Sequence, residues 1–303
     1  MNMRYTQRCF GFSLVELVIT IVITGIIFSV IALFLNRPIQ AYTELYALSD
    51  ITNIADLALS RIEKDVRNAV PNSIRVKSSG NLTGVEMANA VEGMRYRAKN
   101  PGGANAILSI GSNDTDFNVE GKFQYAAYGA NGYRLVIYNT GAYTGNSDSP
   151  NAGVNLYSSS TAAGPTPPAG SHIITPSTSI VTLSSGATED HVNISPAMKF
   201  GLASPRQRIY IVDTPISYIC NLSNGTLTRY WGYSITDVQP LDNTVSPLNG
   251  ANSALLAKNV SACTFSYSAG TSTRNGVLGV NLVITRNGKS ARLFYQINSN
   301  NAS

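Results

Sequence analysis

Histidine is almost missing from this chain: only His172 and His191 occur, each in a polar, Ser/Thr-rich context. Neither sits in a recognisable metal or nucleophile motif, and no Gly-rich phosphate loop, HExxH or GxSxG is present. Both histidines read as surface residues, and the chain is expected not to be an enzyme. A dense basic patch is also lacking, although the net charge is +5, and the tyrosines are interleaved with strand-like runs. No nucleic-acid partner is expected from that pattern. Acid is missing from the N-terminus, where Arg4 and Arg8 come before the first carboxylate, Glu16.

One long hydrophobic run is present, from Phe12 to Leu35, and no second run of that length follows. About 20 apolar residues suffice for a helix to cross a bilayer core. The basic residues ahead of the run favour a cytoplasmic N-terminus and an exported C-terminal bulk. The run is longer than the core of a secretory signal and no small-residue cleavage site follows it, so removal after the run is not expected. Glu16 is costly there, by about 2.5–3.5 kcal/mol at the bilayer centre and less near its edge. It either reaches water at the cytoplasmic face or finds a partner.

Beyond Leu35 the pattern becomes amphipathic. Leu48, Ile51, Ala55, Leu59, Ile62, Val66 and Ala69 recur at three- and four-residue steps and mark one helix face. Pro38 removes a backbone donor and is expected to kink this helix or to divide it into two at a hinge. Pro71 biases Val70 towards extended geometry and should end it.

The remainder reads as a β-rich head. Phe123 to Tyr128, Tyr133 to Tyr138, Arg208 to Val212, Leu227 to Tyr233 and Val277 to Thr285 are rich in β-branched and aromatic residues between turn formers. Leu278, Val280, Leu282 and Ile284 alternate on one strand, and Ala291, Leu293, Tyr295 and Ile297 on the next. Asn287-Gly288 supplies a hairpin turn between them. Thr144 to Gly170, which holds the segment SSSTAAGPTPPAG, is expected to be a long exposed loop, either a disordered insertion or a binding loop. Of the three cysteines, Cys9 lies near the N-terminus, whereas Cys220 and Cys263 would face an oxidising compartment. One disulfide between them is the simple reading; two free thiols are the alternative. Asp114, Asp116, Asn118 and Glu120 group hard oxygen ligands that could hold calcium, but the EF-hand glycine and closing glutamate are missing. A solvated acidic turn is the expected outcome, with no cofactor.

A basic leader, then Gly11, Phe12, Ser13, Leu14, Val15 and Glu16, then an unbroken apolar helix, resembles the class III signal of type IV pilins and pseudopilins. The resemblance implies cleavage between Gly11 and Phe12 by a prepilin peptidase, N-methylation of Phe12, and retention of the apolar helix. It also implies that Glu16 sets axial register against neighbouring subunits. Arg61 to Val76, Pro205 to Cys220, Gly225 to Tyr233 and Leu255 to Tyr267 are similar to the MshO-type minor pilins of the mannose-sensitive haemagglutinin pilus system. The end of the helix is similar, more distantly, to J-type pseudopilins of type II secretion. The implied fold class is α+β and pilin-like: a leader over 1–11, a transmembrane half-helix over 12–35, an amphipathic half over 36–70 and a periplasmic β-rich head over 71–303. The implied role is a minor subunit that primes or caps a filament. Its partners would be other major and minor pilins, the prepilin peptidase, the inner-membrane assembly platform and the membrane itself. A pseudopilus subunit and a tip adhesin are the alternatives.

Overall fold

The computed structural model describes residues 11, 13–99, 107–124, 132–163, 167–271 and 274–299. It has a long N-terminal helix, α1 (Leu14–Arg67), followed by twelve strands and one short 3-10 turn, the α+β pilin-like class. The chain divides into two compact units, Met1–Asp50 and Ile51–Ser303, and the boundary falls inside α1.

In the first unit, Leu14–Ala32 has a mean hydropathy of 2.7 and none of it is buried. An all-round apolar helix with no protein against it calls for lipid or other helices. Its few hydroxyls are satisfied within the helix: Thr20 Oγ1 donates to Leu17 O at 2.8 Å, Thr24 Oγ1 to Thr20 O at 2.6 Å and Ser29 Oγ to Ile26 O at 2.8 Å. That local bonding lowers the cost of hydroxyls in an apolar medium. Pro38 lies inside α1, which continues through it as one helix.

The second unit contains β1 (Arg75–Ser79), β2 (Leu82–Tyr96), β3 (Asn113–Glu120), β4 (Arg134–Ile137), β5 (Ile180–Ser185), β6 (Asp190–Lys199), β7 (Arg208–Asn221), β8 (Thr226–Trp231), β9 (Asn252–Lys258), β10 (Val260–Ser268), β11 (Gly276–Arg286) and β12 (Lys289–Ser299). Seven of these form the path β5-β6-β3-β2-β7-β8-β9, with β1 added on β2 and β4 on β7; β10-β11-β12 form a separate sheet. Asn287 and Gly288 have φ of 50° and 75°, the left-handed geometry of a tight hairpin turn, and they place Arg286 opposite Lys289. The alternation expected there is present, with Leu278, Val280, Leu282, Ile284, Ala291 and Ile297 buried, while Tyr295 is half-exposed.

The amphipathic stripe packs into this unit from Ile51 onward. Ile51, Ala55, Leu59, Ile62 and Val66 share one core with Met87 of β2, Tyr218 of β7, Phe265 of β10 and Val280 of β11. Burying each larger apolar side chain contributes about 1.5–3 kcal/mol. Leu48, one step before the stripe enters the core, is exposed. α1 ends at Arg67, four residues before Pro71. One acid breaks the apolar face: buried Asp65 accepts from Tyr218 Oη at 2.5 Å and from Arg229 Nε at 2.6 Å, which ties α1 to β7 and β8.

The stretch expected to be a long exposed loop is largely packed. Asn155, Leu156 and Tyr157 are buried, because Leu156 and Tyr157 fill a core with Val136, Ile173 and Val212 and the Asn155 amide donates to Ala142 O at 2.8 Å. Residues 164–166 lie outside the described residues. Of the run Phe123 to Tyr128, Phe123 and Gln124 belong to no strand and the rest lies outside the described residues.

The same region is anchored by charge. Lys77 Nζ lies 2.6 Å from Asp148 Oδ2, and the backbone N–H of Gln239 donates to Asp148 Oδ1 at 2.9 Å. Burial alone would raise the Asp148 carboxyl, but the hydrogen bonds from Lys77 and Gln239 outweigh it and hold the group below its ordinary value. A carboxyl depressed in the folded state stabilises above its unfolded pKa of about 3.9, and that contribution is lost as pH falls through the folded pKa. The melting-temperature gap between wild type and Asp148→Asn is therefore expected to narrow as pH is lowered from about 6 to about 3. A gap that stays constant would show that the carboxylate charge is not what holds this loop.

Candidate functional site

The assembly motif begins at the first turn of α1. Ser13 O accepts from the N–H of Glu16 at 3.0 Å and of Leu17 at 3.1 Å, so the helix starts immediately behind Gly11-Phe12-Ser13. Glu16 falls in the first turn, where a carboxylate is favoured by the positive end of the helix dipole. Gly11 and Glu16 are exposed, and Glu16 has no ion-pair partner among the described residues. An acid at the head of an apolar helix, with no ion-pair partner among the described residues, is chemically suited to a cation supplied from outside the subunit. Phe12, the expected methylation site, and Arg4, Arg8 and Cys9 lie outside the described residues.

In the second unit Cys220 of β7 and Cys263 of β10 are bonded, with Cα atoms 6.3 Å apart. The bond joins the large sheet to the three-stranded one, and both cysteines are buried in the core that also receives α1.

The calcium candidates lie on a strand rather than on a turn. Asp114, Asp116, Asn118 and Glu120 are alternate residues of β3 and share one face, since side chains repeat with a period of two. Their oxygens already have partners. Asp114 accepts from the N–H groups of Ser109, Thr115 and Asp116; Asn118 Oδ1 lies 2.7 Å from His191 Nδ1; Asp116 lies 3.3 Å from His191 Nε2; and Glu120 lies 3.4 Å from Arg95. Asp114, Asp116, Asn118 and Glu120 therefore bond along β3 and to its neighbours instead of converging on one point. Among the described residues no group of three or more His, Cys, Asp or Glu is placed to hold a metal ion.

Two features carry no signal in the sequence pattern. One is a fully buried ion pair. Arg75 and Glu86 are cross-strand partners on β1 and β2, with Nε 2.6 Å from Oε2 and neither side chain exposed. The other Arg75 nitrogens donate to Asp237 O at 2.5 Å, Thr236 O at 2.8 Å and Ser147 O at 3.3 Å, while its guanidinium lies 3.7 Å from the centre of the Tyr157 ring. Tyr233 Oη donates to Glu86 Oε1 at 2.9 Å.

The other is a cleft of about 460 Å3 beside this pair, lined by Tyr133, Arg134, His172, Ser177, Asp213 and Ser234 among others. Arg134 opens β4, and its Nε donates to Thr175 O at 2.5 Å. Burial brings its pKa down to about 10, so the guanidinium remains charged at neutral pH. His172 is pushed down by burial and by the nearby Arg134.

Against known proteins, the N-terminal segment is matched by the family model of the prokaryotic N-terminal methylation motif, over residues 6–32. No curated protein and no solved structure matches the chain. The motif, with the apolar helix behind it and the β-rich head beyond, supports a type IV pilin-like or pseudopilin protein. It implies association with pilus or pseudopilus components generally, and with the apolar helix it fits a membrane-anchored, single-pass topology.

Proposed function

We propose that this chain is a minor pilin of an MshO-like type, which primes or caps assembly of a mannose-sensitive-haemagglutinin-type pilus from the inner membrane. The observation that carries the reading is the methylation motif over residues 6–32, ending in a fully exposed apolar helix whose first-turn Glu16 has no ion-pair partner among the described residues. On this reading the prepilin peptidase cuts between Gly11 and Phe12 and methylates Phe12, and the helix is held in the membrane with the head in the periplasm. Glu16 then neutralises the terminal amine of a neighbour on the assembly platform. A buried pair of this kind serves register better than stability. The chain acts by assembly, without catalysis or a cofactor.

Deleting the gene is expected to abolish or sharply reduce surface pili while the major pilin stays at its normal level; normal piliation would overturn the proposal. In the complemented strain, Glu16→Ala should be processed and methylated normally but recovered in filaments about tenfold less, the equivalent of about 1.4 kcal/mol. Equal recovery would remove the register role. A defect in protein secretion with intact pili would assign the chain to a type II secretion pseudopilus instead. A tip adhesin is the second reading, favoured by the cleft around Arg134.

A further inference from the structure

Among the described residues, Arg134 is the only strongly basic group lining the cleft, and it has no ion-pair partner of the kind a half-buried charge needs. Its Nε is taken by Thr175 O, and Thr175 Oγ1 accepts from the N–H of Leu135 at 3.0 Å, so the start of β4 is pinned and the guanidinium held in place. The two terminal nitrogens have no protein acceptor among the described residues, and no carboxylate lies within ion-pair distance. The segments outside the described residues contain no Asp or Glu that could supply one. Contrast Arg75 a short way off, whose charge is matched by Glu86 and three carbonyls. Withdrawing a charge from water without a counter-charge is costly, and an anion brought in from solution would offset that cost.

The rest of the lining narrows the chemistry. A planar guanidinium with two free nitrogens matches a carboxylate in a two-point grip. Around it stand hydroxyls with no partner among the described residues, Ser177 and Ser234, and two carboxylates: Asp237, both of whose oxygens accept from Ser159, and Asp213, whose Oδ1 accepts from the Asn89 amide at 2.9 Å and the Thr214 N–H at 2.6 Å while Oδ2 has no donor among the described residues. Tyr133 and Ile174 give an apolar wall. The volume lies within the range of small-molecule sites. We infer that this cleft is a binding site for an acidic sugar, with Arg134 gripping the carboxylate, Asp213 and the serines taking ring hydroxyls, and Tyr133 covering the apolar face of the ring. The site belongs to the head alone and does not depend on whether the filament is a pilus or a pseudopilus.

The test is titration of the full chain in detergent micelles with a glucuronate disaccharide, read by calorimetry and by ligand-observed NMR. Saturable binding with Kd on the order of 1 mM or tighter is expected, with the matching glucose disaccharide at least about tenfold weaker. Arg134→Gln should lose at least about tenfold in affinity, and Arg134→Lys, which keeps the charge but not the planar fork, should fall between. Should Arg134→Gln not fold, Ser177→Trp, at the exposed rim, blocks the cleft without touching the core and should abolish binding. Absence of glucuronate binding by the wild type, unchanged binding by a folded Arg134→Gln, or full affinity in Ser177→Trp would each overturn the assignment. Acetate or inorganic phosphate binding as tightly as the disaccharide would overturn the sugar assignment and leave only a general anion site.

Discussion

Replacing both Cys220 and Cys263 by alanine is expected to destabilise the head by about 4 kcal/mol, the chain-entropy value for closing a loop between cysteines 43 residues apart. The position of the bond makes the effect broader than a local one. β7 lies within the nine-stranded sheet and β10 at one edge of the three-stranded sheet, and no strand of one sheet is hydrogen-bonded to the other. What remains between them without the bond is the apolar core shared with Ile51, Leu59 and Ile62 of α1, the hydrogen bond from the Val260 N–H to Gly225 O at 3.0 Å, and the one-residue link at Asn259 between β9 and β10. Alanine is preferred to serine because both positions are buried and a hydroxyl there would need a partner. For a unit of this size, 4 kcal/mol corresponds to roughly 8–16 °C in melting temperature. Calorimetry of the full chain in detergent should show that shift, and reductant should reproduce it in the wild type and leave the variant unmoved. A shift below about 2 °C would mean that the shared core and the β9–β10 link hold the sheets together without the bond.

What the sequence makes legible follows the range of the interactions concerned. The stripe from Ile51 to Val66 repeats at helical spacing, and the last hairpin combines strict alternation with Asn287-Gly288, so each is written within a few neighbouring residues. The order β5-β6-β3-β2-β7-β8-β9 is not, because its pairings join segments far apart in the chain. β3 was obscured for a specific reason. Its outward residues Asp114, Asp116, Asn118 and Glu120 resemble a ligand loop, while its inward ones, Phe117 and Val119, are too few to display an alternation. Thr144 to Gly170 misled in the opposite direction, since abundant Ser, Gly and Pro concealed Leu156 and Tyr157, which are core residues. The N-terminal motif was legible because it is written in consecutive residues, the span 6–32 that the methylation-motif model matches. The Arg134 cleft gave no signal, because its lining converges from β4, from the segment around His172, from the middle of β7 and from the segment that follows β8.

Arg75 and Glu86 were equally hidden, as ordinary charges on strand-like segments, and they carry the second large effect. Glu86→Leu is expected to cost about 3–5 kcal/mol, the usual result of leaving one partner of a buried pair behind. The reverse change, Arg75→Met, should cost less, because the two partners differ in their means of escape. Arginine cannot shed its proton in a protein, whereas burial already pushes the Glu86 carboxyl up against the downward pull of Arg75 and Tyr233. Without Arg75 the glutamate can take a proton and keep its hydrogen bond with Tyr233 Oη. The double variant Arg75→Met/Glu86→Leu should be more stable than Glu86→Leu alone, though not equal to wild type, since Thr236 O and Asp237 O lose their donor. The proton gives Arg75→Met a signature of its own. Native Glu86 would hold a proton that the unfolded chain has released above about pH 4.5, so the stability of this variant should fall as pH rises from about 5 to about 8. Denaturant titrations of wild type, both single variants and the double variant across that range measure it. If Arg75→Met showed no greater pH slope than the wild type, Glu86 would be ionised without its partner, and the pairing of charges across β1 and β2 would not be what stabilises this part of the head.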